Sequence, residues 1–312
     1  MKKALILINE RAGTGRAGTS VMRIISEAAR AGFEPVVFPI IPGAGLTSES
    51  LIATHGKDVE LIICSGGDGT LNHVVNGIMH LERRPRLAFV PSGSTNDFAR
   101  GIGIPSNKAR AIDVALYGGV FAYDVGSMND KYFNYVAAFG AFTEISYDTK
   151  QEWKNVLGYA AYFLNALAEL FQNVHYSRHL KIRIGDTVEE GDYVFGAVCN
   201  SASVAGMPLF GKAGVKQNDG KMELLLIRTP KNLIELQAIV ATLRKGNPSH
   251  PGISFKQISS VIFEADEELM WTTDGEFGGS YQKTEIHVLK HAVSIMTGDI
   301  LMKKPVLRIG RD

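Results

Sequence analysis

Four short segments of this chain hold residue types suited to handling phosphate and protons. The first is Cys64-Ser65-Gly66-Gly67-Asp68-Gly69-Thr70-Leu71-Asn72, set between an apolar run and an amphipathic stretch. Paired glycines let backbone N–H groups approach an anion closely, and a helix opening at Leu71 adds partial positive charge. Asp68 would repel a bare phosphate, so its place there makes sense if it holds a metal, a water or a donor group. The plainer alternative is a tight turn with the aspartate as helix cap. No Gly-Lys-Ser/Thr follows, so this is not a Walker loop. The second segment, Pro91-Ser92-Gly93-Ser94-Thr95-Asn96-Asp97-Phe98-Ala99-Arg100, again follows an apolar run and opens a helix. Ser94 or Thr95 can hydrogen-bond a phosphate, while Asn96 and Asp97 can cap the helix. The third, Asn9-Glu10-Arg11-Ala12-Gly13-Thr14-Gly15-Arg16, fits either a phosphate-side turn or a flexible basic loop. The fourth, Thr272-Thr273-Asp274-Gly275-Glu276, flanks a glycine with two carboxylates. Such a turn can aim both at one point for general-base work, although Asp-Gly is also a common hairpin pair.

The elements that must position these segments follow from periodicity. Residues 4–8, 36–38, 61–64 and 87–90 read as strands, and residues 20–31, 48–55 and 71–79 as helices. Strands alternating with helices predict a parallel sheet with helices on its faces. Ligands bind at the carboxyl ends of such strands, where the glycine-rich turns fall. Beyond Asp124, residues 132–138, 181–184, 193–199, 222–227, 260–263 and 285–289 read as strands, with helices at 156–170 and 233–243. That texture predicts a β-rich, mostly antiparallel, sandwich-like second domain. The expected division is an α/β domain over 1–125, a β-rich domain over 126–292, and a tail, 293–312, returning to the first.

Composition narrows the function. The chain has 312 residues, is 45% hydrophobic and 21% charged, and has a formal net charge of +1. That balance excludes nucleic acid as the default partner. Cys64 and Cys199 are the only cysteines; they form no metal-ligand pattern, and a reducing cytoplasm fits. The stretch 156–170 is too short and too polar to span a bilayer.

Taken together and in this order, the four segments resemble the diacylglycerol kinase catalytic-domain family, which includes bacterial diacylglycerol kinases and sphingosine kinases. The resemblance runs over nearly the whole chain. The Gly-Gly-Asp-Gly-Thr loop is shared with NAD kinases and phosphofructokinases; Gly-Ser-Thr-Asn-Asp-Phe-Ala-Arg and Asp-Gly-Glu are more particular to lipid kinases. The resemblance implies an α/β nucleotide-binding domain beside a β-rich lipid-substrate domain. It implies ATP contacts from Asn9, Glu10, Arg11, Ala12 and Gly13, from Gly66, Gly67, Asp68, Gly69, Thr70, Leu71 and Asn72, and from Ser94. It implies that Asp68, Asp97 and Asp124 organise a catalytic Mg²⁺, largely through waters. Asp124, in Tyr123-Asp124-Val125-Gly126, would otherwise read as a turn residue at the end of a strand. Asp274 and Glu276 match the general-base region, and either can take the proton. In Lys216-Gln217-Asn218-Asp219-Gly220-Lys221, the Asp219 side chain and the carbonyls of Lys216 and Lys221 match a structural Mg²⁺ loop of bacterial relatives, a hard oxygen donor set. An ordinary Asp-Gly turn is the alternative. The chain departs from the family pattern at Glu10, where a proline is usual, at Ser94, where threonine is common, and at residues 38–42, which lack a usual threonine.

The implied reaction is transfer of the γ-phosphoryl group of ATP to a lipid hydroxyl, with diacylglycerol giving phosphatidic acid. The enzyme would be cytoplasmic, touching the inner face of the membrane transiently, and a homodimer would be in keeping with bacterial relatives. Arg11, Arg16, Arg100 and Arg83-Arg84-Pro85-Arg86 are candidates for anionic head groups or simply solvated residues. Competing readings are a kinase of phosphatidylglycerol, an undecaprenol-type alcohol or a sphingoid base; a NAD kinase; and a non-catalytic nucleotide- or lipid-binding protein. Loss of Asp68 or Asp274 is expected to cut turnover while leaving the fold intact.

Overall fold

The computed structural model describes residues 1–9, 17–93, 96–140, 176–201, 215–245 and 249–298. The chain divides into an α/β unit, Met1–Tyr123 with the segment that begins at His291, and a β-rich unit, Asp124–Lys290.

In the α/β unit, β1 (Lys2–Ile8), β2 (Phe33–Pro39), β3 (Leu61–Gly66) and β4 (Arg86–Pro91) pair in parallel in the order β2-β1-β3-β4. Their apolar runs are nearly continuous because helices cover both faces of such a sheet; Ala4–Leu7 and Leu61–Cys64 are almost fully buried. The helices are α1 (Ala17–Arg30), α2 (Ser48–His55), α3 (Asp68–Met79), α4 (Asp97–Gly101) and α5 (Lys108–Tyr117). Local chemistry sets their ends. Gly32, at φ +84°, follows α1. A Thr47–Ser50 capping box opens α2, and the Asn107 side chain caps α5. The chain steps outward from β1 to β2, then back across β1 to β3 and β4. The reversal between β1 and β3 is the point where open α/β sheets bind ligands.

The β-rich unit holds β6 (Lys131–Phe133), β7 (Val136–Gly140), β8 (Arg178–Ile184), β9 (Thr187–Cys199), β10 (Met222–Arg228), α6 (Leu233–Arg244), β11 (Ile253–Ile258) and β12 (Ser260–Thr273). The chain passes between the units within two further strands, β5 (Gly119–Met128) and β13 (Glu276–Thr297). Antiparallel pairing runs β11-β10-β9, then through β7 and β8 to β12, which forms a hairpin with β13. Alternation splits the side chains into two cores. One, with Phe195, Ala197, Leu225 and Ile227, packs under Leu236, Ile239 and Leu243 of α6. The other gathers Phe139, Phe263 and Trp271, whose rings meet edge-on at 5.0–5.8 Å, a geometry favoured by the ring quadrupoles. At its far end β13 returns to the α/β unit, where Ile295 pairs in parallel with Leu87 of β4.

Four expectations need correction. The single strand over 132–138 is two strands, β6 and β7, broken at Asn134 and Tyr135 because their N–H groups bond a carboxylate instead of a neighbouring strand. Asp124 is neither a turn residue nor at a strand end; it lies within β5, buried, and in the β-rich unit. The third helix opens at Asp68, not Leu71. The elements α5 and β11 are additional to those read from the sequence. The helix expected over 156–170 lies outside the described residues. Cys64 and Cys199 are free, buried thiols, and burial pushes both up from the ordinary thiol range.

Candidate active site

In the α/β unit the site is built at the carboxyl ends of β1, β3 and β4. The backbone N–H of Asn9, just past β1, donates to Ser65 O at 2.9 Å, and its side-chain amide donates to Thr70 Oγ1 at 2.7 Å. Asn9 thus ties the end of β1 to the end of β3 and the first turn of α3 across the sheet reversal. Thr70 also decides Gly66: a Cβ there would lie 2.6 Å from the Thr70 Cβ. Gly67 is the N-cap of α3, with no side-chain cap bond, and the first intrahelical bond runs from Leu71 N to Gly67 O at 3.0 Å. The N–H groups of Asp68, Gly69 and Thr70 therefore lie ahead of that bond, at the positive end of a 12-residue helix. Thr70, Leu71 and Asn72 are buried and Asp68 is half-buried.

The turn after β4 stands against this loop. Ser92 N donates to Gly66 O at 2.8 Å. A Cβ on Gly93 would sit 2.8 Å from Gly67 Cα, so Gly93 demands close backbone approach, whereas a Cβ on Gly67 would meet Gly93 Cα at an ordinary 3.4 Å. Asn96, at φ 51°, makes no helix-cap bond. Its Oδ1 accepts from Gly93 N at 3.1 Å and its Nδ2 donates to Gly93 O at 2.8 Å. The residue expected to cap a helix instead clasps the preceding turn, while Asp97 opens α4. Glu10, Arg11, Ala12, Gly13, Arg16, Ser94 and Thr95 lie outside the described residues. The Arg83–Arg86 run lies at the amino ends of the strands, away from these turns. Arg83 meets Glu60 at 2.5 Å, and Arg84 donates to Ala292 O at 3.1 Å.

In the β-rich unit, Asp274 and Gly275 form the two-residue turn between β12 and β13, with φ 51° and 88°. Positive φ at both positions is the mark of the hairpin turn that matches strand twist. This is nevertheless no solvated turn. Asp274 is 4% exposed. Its Oδ2 accepts from Asn134 N at 2.7 Å and Asn134 Nδ2 at 2.9 Å, and its Oδ1 from Tyr135 N and Val136 N, both at 3.0 Å. Those four bonds occupy the carboxylate, whereas Glu276 is exposed.

Asp124 and the 216–221 loop come together in the same unit. Asp124 N donates to Gln217 O at 2.8 Å, and Asp124 Oδ2 accepts from Gly220 N at 2.7 Å. Asp219 Oδ1 accepts from Lys221 N at 3.0 Å; Lys216 and Lys221 are exposed. Just beyond, Glu223 is buried, with Oε2 lacking a hydrogen-bond partner. Burial pushes its carboxyl up to about 7, opposed by the Gln257 hydrogen bond and aided by the nearby Asp219 charge. Among the described residues no three His, Cys, Asp or Glu side chains gather to hold a metal ion.

Comparison with known proteins agrees with this layout. Residues 3–128 match the family model described as the diacylglycerol kinase catalytic domain. The chain is 30% identical over 291 residues to a diacylglycerol kinase of Staphylococcus carnosus, spanning 93% of this chain and 94% of that protein. The chain belongs to the diacylglycerol kinase family. A second family member, from Staphylococcus saprophyticus, is 29% identical over 300 residues, 96% of this chain and 97% of that one. A solved structure of a candidate diacylglycerol kinase from Bacillus anthracis str. Sterne superposes with a TM-score of 0.82 at 27% identity, over 95% of both chains. The family model reaches Asp124 and stops before Asp219, Asp274 and Glu276. Sequence reading missed Asn134, Asn200 and Glu223, and missed the clasp made by Asn96. Isolated polar residues in β-rich sequence carry no motif, and only burial marks them.

Proposed function

We propose that this chain is an ATP-dependent diacylglycerol kinase, transferring the γ-phosphoryl group to the free hydroxyl of diacylglycerol to give phosphatidic acid. The observation that carries this reading is the 274–276 turn, where a buried, fully engaged Asp274 leaves the exposed Glu276 to act as base. Backbone amides at the start of α3 bind the ATP phosphates, with Asn9 fixing Thr70 beside them. Arg11, Gly13 and Ser94 belong to the same nucleotide contacts. Glu276 takes the hydroxyl proton as the new O–P bond forms and the bond from the γ-phosphorus to the β–γ bridging oxygen breaks, releasing ADP. Phosphoryl transfer needs positioning and charge neutralisation more than covalent chemistry, which fits a site made of amides and carboxylates.

A divalent cation, held by phosphates and water with Asp68, Asp97 and Asp124 as the protein carboxylates, would neutralise phosphate charge. Mg²⁺ favours that few-carboxylate arrangement. Asp219, with the carbonyls of Lys216 and Lys221, offers a second oxygen set of the kind hard cations take. The β-rich unit is the sandwich-like lipid-substrate domain. No helix among the described residues is long and apolar enough to cross a membrane; the enzyme works from the cytoplasm and meets its lipid at the membrane surface.

The test is ATP- and Mg²⁺-dependent phosphorylation of diacylglycerol, phosphatidylglycerol, undecaprenol, sphingosine and NAD⁺, the lipids in mixed micelles, with Asp68→Ala and Glu276→Gln beside the wild type. Transfer to diacylglycerol by the wild type, and at least about 100-fold slower transfer by either variant, is expected. ATP binding without transfer to any acceptor would sink the kinase reading, and transfer to NAD⁺ would replace it.

A further inference from the structure

Three segments singled out by sequence, around Asp124, 216–221 and 274–276, are far apart in the chain. In the β-rich unit two asparagines join them. Asn134 gives Asp274 both its backbone N–H and its side-chain amide. Asn200 sits on the other side of Asn134. Its Nδ2 donates to Asp124 O at 2.7 Å and to Asn134 O at 3.4 Å, and its backbone N–H donates to Tyr135 O at 2.9 Å. The Asn200 carbonyl accepts from Gln217 Nε2 at 3.2 Å, while the Gln217 carbonyl accepts from Asp124 N. Asp124, Gln217 and Asn200 thus form a closed ring of hydrogen bonds, and Asn134 ties the ring to the turn that carries Glu276.

Every side chain of the link itself is buried: Asp124 0%, Asn134 1%, Asn200 1% and Asp274 4% exposed. Among the described residues Asn200 Oδ1 is buried without a hydrogen-bond partner, so Asn200 is held by its donors alone; buried polar groups cost free energy unless satisfied, and the bonds made here favour one geometry over many. The orientation of Asn200 is forced, since only an NH₂ can serve two carbonyl oxygens at once.

We propose that Asn134 and Asn200 are positioning residues for phosphoryl transfer, locking the Asp274–Glu276 turn to Asp124 and the 217–220 loop. The base and the Asp124 carboxylate then keep one fixed relation, and loosening either asparagine misplaces Glu276 without removing it. Small displacements of a catalytic group are costly in rate. This inference rests on Glu276 being the base.

The experiment is steady-state kinetics on full-length Asn134→Ala and Asn200→Ser, each alone and combined with Glu276→Gln, well below the measured melting temperature of each variant. Asn134→Ala keeps the backbone N–H bond to Asp274, so it carries the test if the Asn200 variant fails to fold. In either single variant kcat should fall at least tenfold, with KM for ATP within twofold of wild type. On the Glu276→Gln background, adding either change should lower the residual rate less than twofold, because the group being positioned is already gone. A merely structural role would leave kcat per folded molecule unchanged, and that result overturns the proposal, as does full additivity with Glu276→Gln. Wild-type turnover by Glu276→Gln alone would instead remove the base assignment on which the inference rests.

Discussion

Removing Asp274 separates a residue that holds the site from one that performs the chemistry. Its carboxylate accepts four hydrogen bonds, three of them from backbone N–H groups. Bonds to an ionised acceptor contribute about 1.5 kcal/mol each, or about 6 kcal/mol for the set. Alanine at φ 51° adds about 1 kcal/mol of left-handed backbone strain. Water entering the vacated space recovers part of this, leaving a net loss of about 4 kcal/mol for Asp274→Ala, a large share of the 5–15 kcal/mol typical of a domain. At roughly 2–4 °C per kcal/mol, the melting temperature should drop by about 10 °C. Asp274→Asn tolerates the left-handed turn but points an NH₂ at two donors, so it should fall between alanine and wild type. Glu276→Gln changes an exposed side chain; it should melt within about 1 °C of wild type while losing at least about 100-fold in turnover. The assays are thermal unfolding followed by circular dichroism and diacylglycerol phosphorylation on the same preparations. An Asp274→Ala protein melting within about 2 °C of wild type would refute the reasoning, because four buried bonds cannot be lost so cheaply. The expected outcome for Asp274→Ala is therefore a folded but weakened protein, a cost set by the four bonds of its carboxylate.

Two further outcomes follow from the geometry. Gly93→Ala places a methyl 2.8 Å from Gly67 Cα and 3.0 Å from Asn96 Oδ1, whereas a Cβ on Gly67 comes no closer than 3.4 Å to Gly93 Cα. KM for ATP should rise by about tenfold or more in Gly93→Ala, and much less in Gly67→Ala; equal effects would dissociate the turn contact from nucleotide binding. If the 216–221 loop holds a cation, millimolar Mg²⁺ should raise the melting temperature of the wild type but not of Asp219→Asn, by linkage of binding to folding; an equal rise in both proteins would remove Asp219 from that role.

Most of the α/β unit was legible because its physics is local. Buried parallel strands are nearly unbroken apolar runs, and Gly32 and Gly56 stop the helices they follow. Residues 48–55 were read as a helix with the bounds the structure has. The glycine turns were also legible, since closely approaching backbones leave room for no other residue. Strand lengths in the β-rich unit were less so: β12 and β13 run far past the residues read as strands, because pairing carries polar stretches such as residues 283–285 along with apolar ones. The sequence by itself determined an α/β part with a parallel sheet followed by a mostly antiparallel β-rich part, and it marked the glycine turns and the acidic residues. Only the tertiary structure decided which carboxylate is occupied and which is exposed, since Asp274 and Glu276 differ by partners more than a hundred residues away. It also decided that Asp124 belongs with the 217–220 loop, and that Asn134 and Asn200 join that loop to the Glu276 turn. These are hydrogen bonds between distant segments, and their energy depends on burial and donor direction, neither of which a residue's type or spacing records.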